Sequence, residues 1–233
     1  MSSKHIVITG SSKGIGRFLT ESYLAEGHVV AGCSRSASDL VHENYTHFEV
    51  DVADDVAVSR MVKAVKKKFG GIDILLNNAG MAAMNHCLTT PSSTAQKIYS
   101  VNVLGTFYFL REVGKQMIRK KYGRIVNFST VAKPLRLEGE AVYASSKAAL
   151  ETLTAVTANE LGEFGVTVNA VGPTPIDTDL TRAVPKKKMQ ELVEKQAIKR
   201  MGKFEDVKNV IDFFINDKSD FITGQVVYLG GVG

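Results

Sequence analysis

The feature that most constrains this chain is a series of short apolar runs, nearly all separated by segments with helical patterning. The runs are Ile6 to Ile8, Val29 to Ala31, Phe48 to Val50, Ile72 to Leu76, Gly123 to Phe128, Val166 to Val171 and Gln225 to Leu229. The intervals are long enough for crossover helices, and strands joined that way run parallel with helices on both sheet faces. The expected fold is therefore α/β: one Rossmann-like three-layer α/β/α domain over residues 1–233, with a mostly or wholly parallel central sheet. No repeat or low-complexity linker divides the chain. The least regular interval follows the run ending at Val171, so a substrate lid is expected near residues 174–198.

With 233 residues and 44% hydrophobic side chains, the chain can bury an ordinary core without metals or crosslinks. Its two cysteines, Cys33 and Cys87, are too few for a disulfide framework and point to a reducing compartment. The N-terminal residues lack a basic stretch followed by an apolar one, and no uncharged apolar stretch approaches a membrane span. A cytoplasmic protein with no membrane partner is expected. The net charge of +5 is modest, and the lysine and arginine runs at 66–68, 119–121 and 186–188 carry no interleaved aromatics, so no nucleic-acid partner is expected.

Between the first apolar run and the first helical pattern stands Thr9-Gly10-Ser11-Ser12-Lys13-Gly14-Ile15-Gly16. Glycines there permit a tight turn and let backbone approach a diphosphate, which the unpaired N–H groups of a helix start favour. A Walker loop is excluded, because Lys13 precedes the last glycines. The second run leads into Ser34 and Arg35, where an acid would accept from an adenosine ribose hydroxyl and a guanidinium would engage a 2'-phosphate. Serine in place of the acid, with Lys13 and Arg35 nearby, favours NADPH/NADP+ over NADH/NAD+. Asp51, beside Val52, suits either an adenine amino group or a turn cap. Asn77-Asn78-Ala79-Gly80 closes the fourth run with small and amide residues that allow close cofactor approach or form a plain Asx turn.

Tyr143 and Lys147 lie four residues apart on one helical pattern, a rise of roughly 6 Å with both side chains on nearly one face. A tyrosine with a pKa of about 10 rarely loses its proton near neutrality, and a close ammonium favours phenolate. Such a pair can exchange a proton with an alcohol or carbonyl oxygen, although alone it is a frequent surface coincidence. Thr130, at the end of the preceding run, offers a hydroxyl to the substrate oxygen or to Tyr143. Ser129 is the substitute, and strand alternation allows only one of the two to face the site. Asn102 interrupts an apolar helical pattern expected to run from about Thr94 to Lys121. It suits a helix distortion, a water linked to Lys147, or simple exposure.

Taken together, T-G-S-S-K-G-I-G at 9–16, N-N-A-G at 77–80, Asn102, Y-A-S-S-K at 143–147 and V-N-A-V-G-P at 168–173 strongly resemble the classical short-chain dehydrogenase/reductase family, over nearly the whole chain. Within it, the likeness is nearest to bacterial 3-oxoacyl-(acyl-carrier-protein) reductases. The resemblance implies that Tyr143 is the acid/base, that Lys147 binds nicotinamide ribose and lowers the Tyr143 pKa, and that Asn102 joins a proton relay. The usual serine aligns with Thr130. Pro173, Ile176 and Thr178 would lie along the nicotinamide, with Thr174-Pro175 departing from the family's usual Pro-Gly turn. The implied reaction is NADPH-dependent reduction of a ketone or acyl thioester, the latter carrier-bound, by a homo-oligomer of which a tetramer is the favoured form. Reduction of another carbonyl metabolite and noncatalytic NADPH binding are the alternatives.

Overall fold

The computed structural model describes residues 3–178, 181 and 184–232. Seven strands form one sheet in the order β3-β2-β1-β4-β5-β6-β7, every neighbouring pair parallel. They are β1 (His5–Thr9), β2 (Val29–Ser34), β3 (Tyr45–Glu49), β4 (Ile74–Asn77), β5 (Gly123–Phe128), β6 (Val166–Gly172) and β7 (Val226–Tyr228). The helices are α1 (Gly14–Ala25), α2 (Asp55–Phe69), α3 (Ser92–Tyr99), α4 (Thr106–Lys120), α5 (Ala132–Leu135), α6 (Ala141–Gly162), α7 (Lys186–Glu194) and α8 (Phe204–Ile215). The three-layer α/β/α arrangement expected from the alternation is the one formed. Part of the expected lid, residues 179, 180, 182 and 183, lies outside the described residues, as do the first two residues and the last.

Alternation along the strands divides the core. Val7, Leu75, Ile125 and Val168 face one side with Val58, Val62, Phe109 and Val113 of α2 and α4. Ile6, Ile8, Leu76, Val126 and Val171 face the other with Leu19, Tyr23, Val207, Ile211 and Phe214 of α1 and α8. An apolar stripe places α2 on the sheet: it buries Val58, Met61, Val62 and Val65, the i, i+3, i+4, i+7 series of one face. Asp54 caps that helix by accepting from the Val56 and Ala57 N–H groups at 3.0 Å each.

Two consequences of this architecture position the site. β1 is flanked by β2 on one side and β4 on the other, so the chain's winding reverses there and a crevice opens at the carboxyl ends of β1 and β4. The second is a correction. The helix expected from Thr94 to Lys121 is interrupted: α3 and α4 are joined by a π-helical turn, Ser100–Gly105. Gly105 is tight against Val52, since a Cβ there would lie 2.9 Å from its Cγ2. The wide turn brings α4 onto the sheet without breaking the helix axis.

Candidate active site

The glycine turn is fixed from both neighbouring strands. Gly10 and Ser11 donate their N–H groups to the Cys33 carbonyl at 2.8 and 3.1 Å. Asn78 Nδ2 donates to the Thr9 and Gly10 carbonyls at 2.9 and 3.2 Å, and the Ala79 N–H donates to Thr9 Oγ1 at 2.9 Å. Thr9, Asn78 and Ala79 therefore clamp the first turn to the fourth strand's end. Gly10 has φ +68°, a conformation a side chain would strain. Gly16 is required by close approach: a Cβ there would overlap the Gly10 carbonyl oxygen and lie 2.5 Å from Asn78 Nδ2. No side chain caps α1, so its first-turn N–H groups are left for an anion. Ser12, Lys13 and Ile15 complete the turn, with Lys13 exposed and Ile15 packed on the core.

At the end of β2, Ser34 Oγ donates to the Ser36 carbonyl at 2.6 Å and meets His47 Nε2 at 3.1 Å. Arg35 projects into solvent beside it. A chain of contacts ties this loop back to the glycine turn: Ser11 Oγ to Tyr45 OH at 3.1 Å, and Tyr45 OH to His47 Nδ1 at 2.8 Å. Asp51 Oδ1 accepts the Ala53 N–H at 3.0 Å, the turn-capping geometry, while Val52 is buried against the π-helical turn.

Lys147 reaches from α6 into the sheet edge, almost fully buried, and donates from Nζ to the Phe128 carbonyl at 2.6 Å. Burial pushes its ammonium down to about 8. Asn102, completely buried in the π-helical turn, accepts from the Met81 N–H through Oδ1 at 2.8 Å and donates from Nδ2 to the Met81 carbonyl at 2.9 Å and to Ser146 Oγ at 3.0 Å. Gly80 brings these groups together: a Cβ there would stand 3.5 Å from Lys147 Nζ and 3.6 Å from Asn102 Oδ1. The Tyr143 ring lies 5.9 Å from Lys147 Nζ.

Burial pushes the Tyr143 phenol up to about 12; the Thr130 hydroxyl, directed at it, opposes the rise and the nearby Glu140 charge adds to it. Lys147 Nζ is held on the Phe128 carbonyl, and the upward direction of the phenol comes from its own burial. The structure also separates Ser129 from Thr130. Ser129 Oγ donates to Glu151, which accepts from Tyr228 OH at 2.5 Å and pairs with Lys133 at 2.8 Å. Thr130 is left facing Tyr143, as alternation requires.

The segment after β6 packs back beside the strand ends. The Pro173 carbonyl accepts the Val131 N–H at 3.3 Å, and buried Ile176 bridges to Gly202. Thr178 faces the glycine turn, its Cγ2 being 3.6 Å from a Cβ placed on Gly14.

One site residue was missed in the sequence. Glu140, three positions before Tyr143, is only 8% exposed, and its Oε2 has no hydrogen-bond partner among the described residues. Its place just ahead of the helix that carries Tyr143 was the one signal, and that says nothing of burial. Burial raises its carboxyl to about 7, with Lys188 opposing, against about 4.3 in an unfolded chain. Glu140's contribution to stability is fully present below the unfolded value and lost as pH rises through 7. Glu140→Gln should therefore match the parent near pH 4 in urea unfolding and exceed it at pH 8, by up to about 3 kcal/mol.

Comparison with known proteins agrees with this geometry. A family model described as enoyl-(acyl carrier protein) reductase matches residues 10–231. The 3-oxoacyl-(acyl-carrier-protein) reductase of Staphylococcus epidermidis is 32% identical over 98% of both chains, and that of Escherichia coli is 30% identical over 98% of this chain and 96% of its own. Among solved structures, Thermoplasma acidophilum aldohexose dehydrogenase in ligand-free form superposes with a TM-score of 0.90 at 30% identity, covering 98% of this chain and 93% of the other. ElxO with NADP bound gives a TM-score of 0.91 at 28% identity, covering 98% of both. No helix among the described residues is long and apolar enough to cross a membrane. A glycine turn clamped at the reversal of a parallel sheet, with Tyr143, Lys147, Thr130 and Asn102 gathered beside it, and matches over nearly the full length place this chain in the classical short-chain dehydrogenase/reductase family of oxidoreductase enzymes.

Proposed function

We propose that this enzyme reduces a ketone to a secondary alcohol with NADPH. The observation that carries the reading is the meeting of Lys147 and Asn102 at Gly80, with the Tyr143 ring 5.9 Å from Lys147 Nζ, next to an uncapped helix start. The residues present fit a dinucleotide: the α1 amides would take the diphosphate, Lys13 and Arg35 a 2'-phosphate, and Pro173, Ile176 and Thr178 the nicotinamide side. The bound NADP of ElxO supports the same cofactor. When bound, the reduced nicotinamide supplies the hydride that adds to the carbonyl carbon.

Tyr143 gives its proton to the carbonyl oxygen, so hydride and proton together make the alcohol. Thr130 donates a hydrogen bond to the same oxygen as charge develops. Lys147 would hold the nicotinamide ribose, and its ammonium, 5.9 Å from the Tyr143 ring, favours the phenolate left when the proton is given up, while Asn102 keeps the loop at Met81 in register. Thr130→Ala should lower kcat about a hundredfold, while Thr130→Ser retains most of it. Ser129→Ala should instead cost about 1–3 kcal/mol of stability by stripping a donor from buried Glu151. Steady-state kinetics beside urea unfolding separates the two.

A second reading, reduction of a 3-oxoacyl thioester, is favoured by the curated relatives of that name. The deciding experiment follows NADPH and NADH oxidation with acetoacetyl thioesters and free ketones. Ketone-dependent NADPH oxidation supports the proposal, and much higher efficiency on thioesters supports the narrower one. Stoichiometric NADPH binding without turnover on any carbonyl overturns both. The proposal includes self-association, with a tetramer the expected form, through exposed Leu104, Phe107 and Val156; sedimentation as a monomer would sink that part.

A further inference from the structure

Glu140 is not used in the chemistry above, and it is an expensive residue to keep. A carboxyl that is 8% exposed with a partnerless Oε2 costs stability unless something completes it. Its surroundings are specific. Glu140 directly precedes α6, whose first turns carry Tyr143, and its carbonyl accepts the Ala144 N–H at 2.7 Å. The preceding Gly139 packs under the 84–85 segment: a Cβ there would meet Met84 Cγ at 3.1 Å, and its carbonyl accepts the Asn85 N–H at 2.9 Å. From the other side Lys188 of α7 reaches Met84 Sδ at 3.9 Å. Glu140 thus stands where the start of α6, the loop after β4 and α7 meet, with its charge felt by the Tyr143 phenol.

We propose that Glu140 is a specificity-determining residue whose free carboxyl oxygen accepts a hydrogen bond from a hydroxyl group on the substrate, near the carbonyl that Tyr143 protonates. Ionised, the carboxylate only accepts; protonated, it still keeps acceptor lone pairs, so in either state it can take a hydroxyl donor. The neighbouring Lys188 charge disfavours an ammonium there, which leaves a neutral hydroxyl. A plain alkyl ketone or a 3-oxoacyl chain brings no donor and leaves the buried oxygen unpaired, a penalty a site built for hydrogen bonding exacts from such analogues. The inference rests on the carbonyl-reductase reading and names the substrate class of that site: hydroxylated ketones.

The test compares 3-hydroxy-2-butanone and 4-hydroxy-2-butanone with 2-butanone, using NADPH and both the parent enzyme and Glu140→Gln. The parent should prefer at least one hydroxyketone by about tenfold or more in kcat/KM. Glu140→Gln should shrink that ratio severalfold, with 2-butanone turnover affected far less. A role through the Tyr143 pKa alone would move all three ketones together and leave the ratio unchanged, which overturns the inference. A parent enzyme that reduces 2-butanone as well as the hydroxyketones overturns it too, while leaving the carbonyl-reductase reading intact. Failure to reduce any ketone or thioester overturns that reading and the inference with it.

Discussion

Tyr143→Phe should bind NADPH as the parent does and lose about a thousandfold or more in kcat, because the phenol oxygen is the group placed to protonate the substrate and the ring alone fills the same volume. Only one atom changes, and Thr130, its neighbour, keeps its contact to the Ala132 N–H at 3.2 Å. Dinucleotide affinity from fluorescence titration and kcat from stopped or steady-state assays should therefore separate cleanly. A variant that retains a tenth of the parent rate would show that the proton comes from elsewhere.

Gly16→Ala should abolish dinucleotide binding, raising Kd a hundredfold or more in rough terms, and lower stability by about 1–3 kcal/mol, the usual cost of forcing atoms into a packed site. The added methyl would collide with the Gly10 carbonyl and with Asn78 Nδ2. Both belong to the clamp that joins the glycine turn to the end of β4, so the turn must open for the methyl to fit. Gly71→Ala is the control, because a Cβ there meets nothing within 4 Å. Equal affinities for the two variants would mean that the clamp is not what shapes the diphosphate site.

Much of this was legible because it is local. The glycine turn sits directly between an apolar strand and a helix, and Tyr143 and Lys147 share one helix face, so spacing alone put them together. The π-helical turn was hinted at only by the Asn102 amide, which suited a helix distortion among other readings: Ile98, Val101, Leu104 and Phe107 keep a regular spacing straight through it, and the close packing of Gly105 on Val52 is visible only in the fold. Ser129 and Thr130 could not be ranked by pattern either. The choice is made by Glu151, twenty-two residues further on, together with Tyr228 from the last strand. Glu140 stayed hidden for the same reason, since its burial comes from loop and helix segments far away in sequence.

The widened turn between α3 and α4 ties the integrity of the fold to its chemistry. Deleting one residue from positions 100–105 would restore unbroken helical geometry there, yet swing everything before it by about 100°. The Asn102 amide would then miss the Met81 backbone, and the Tyr99 hydroxyl would leave Ser145, now 3.0 Å away. Buried Ile98 would lose its place in the core as well, so straightening the chain would cost stability and catalysis together.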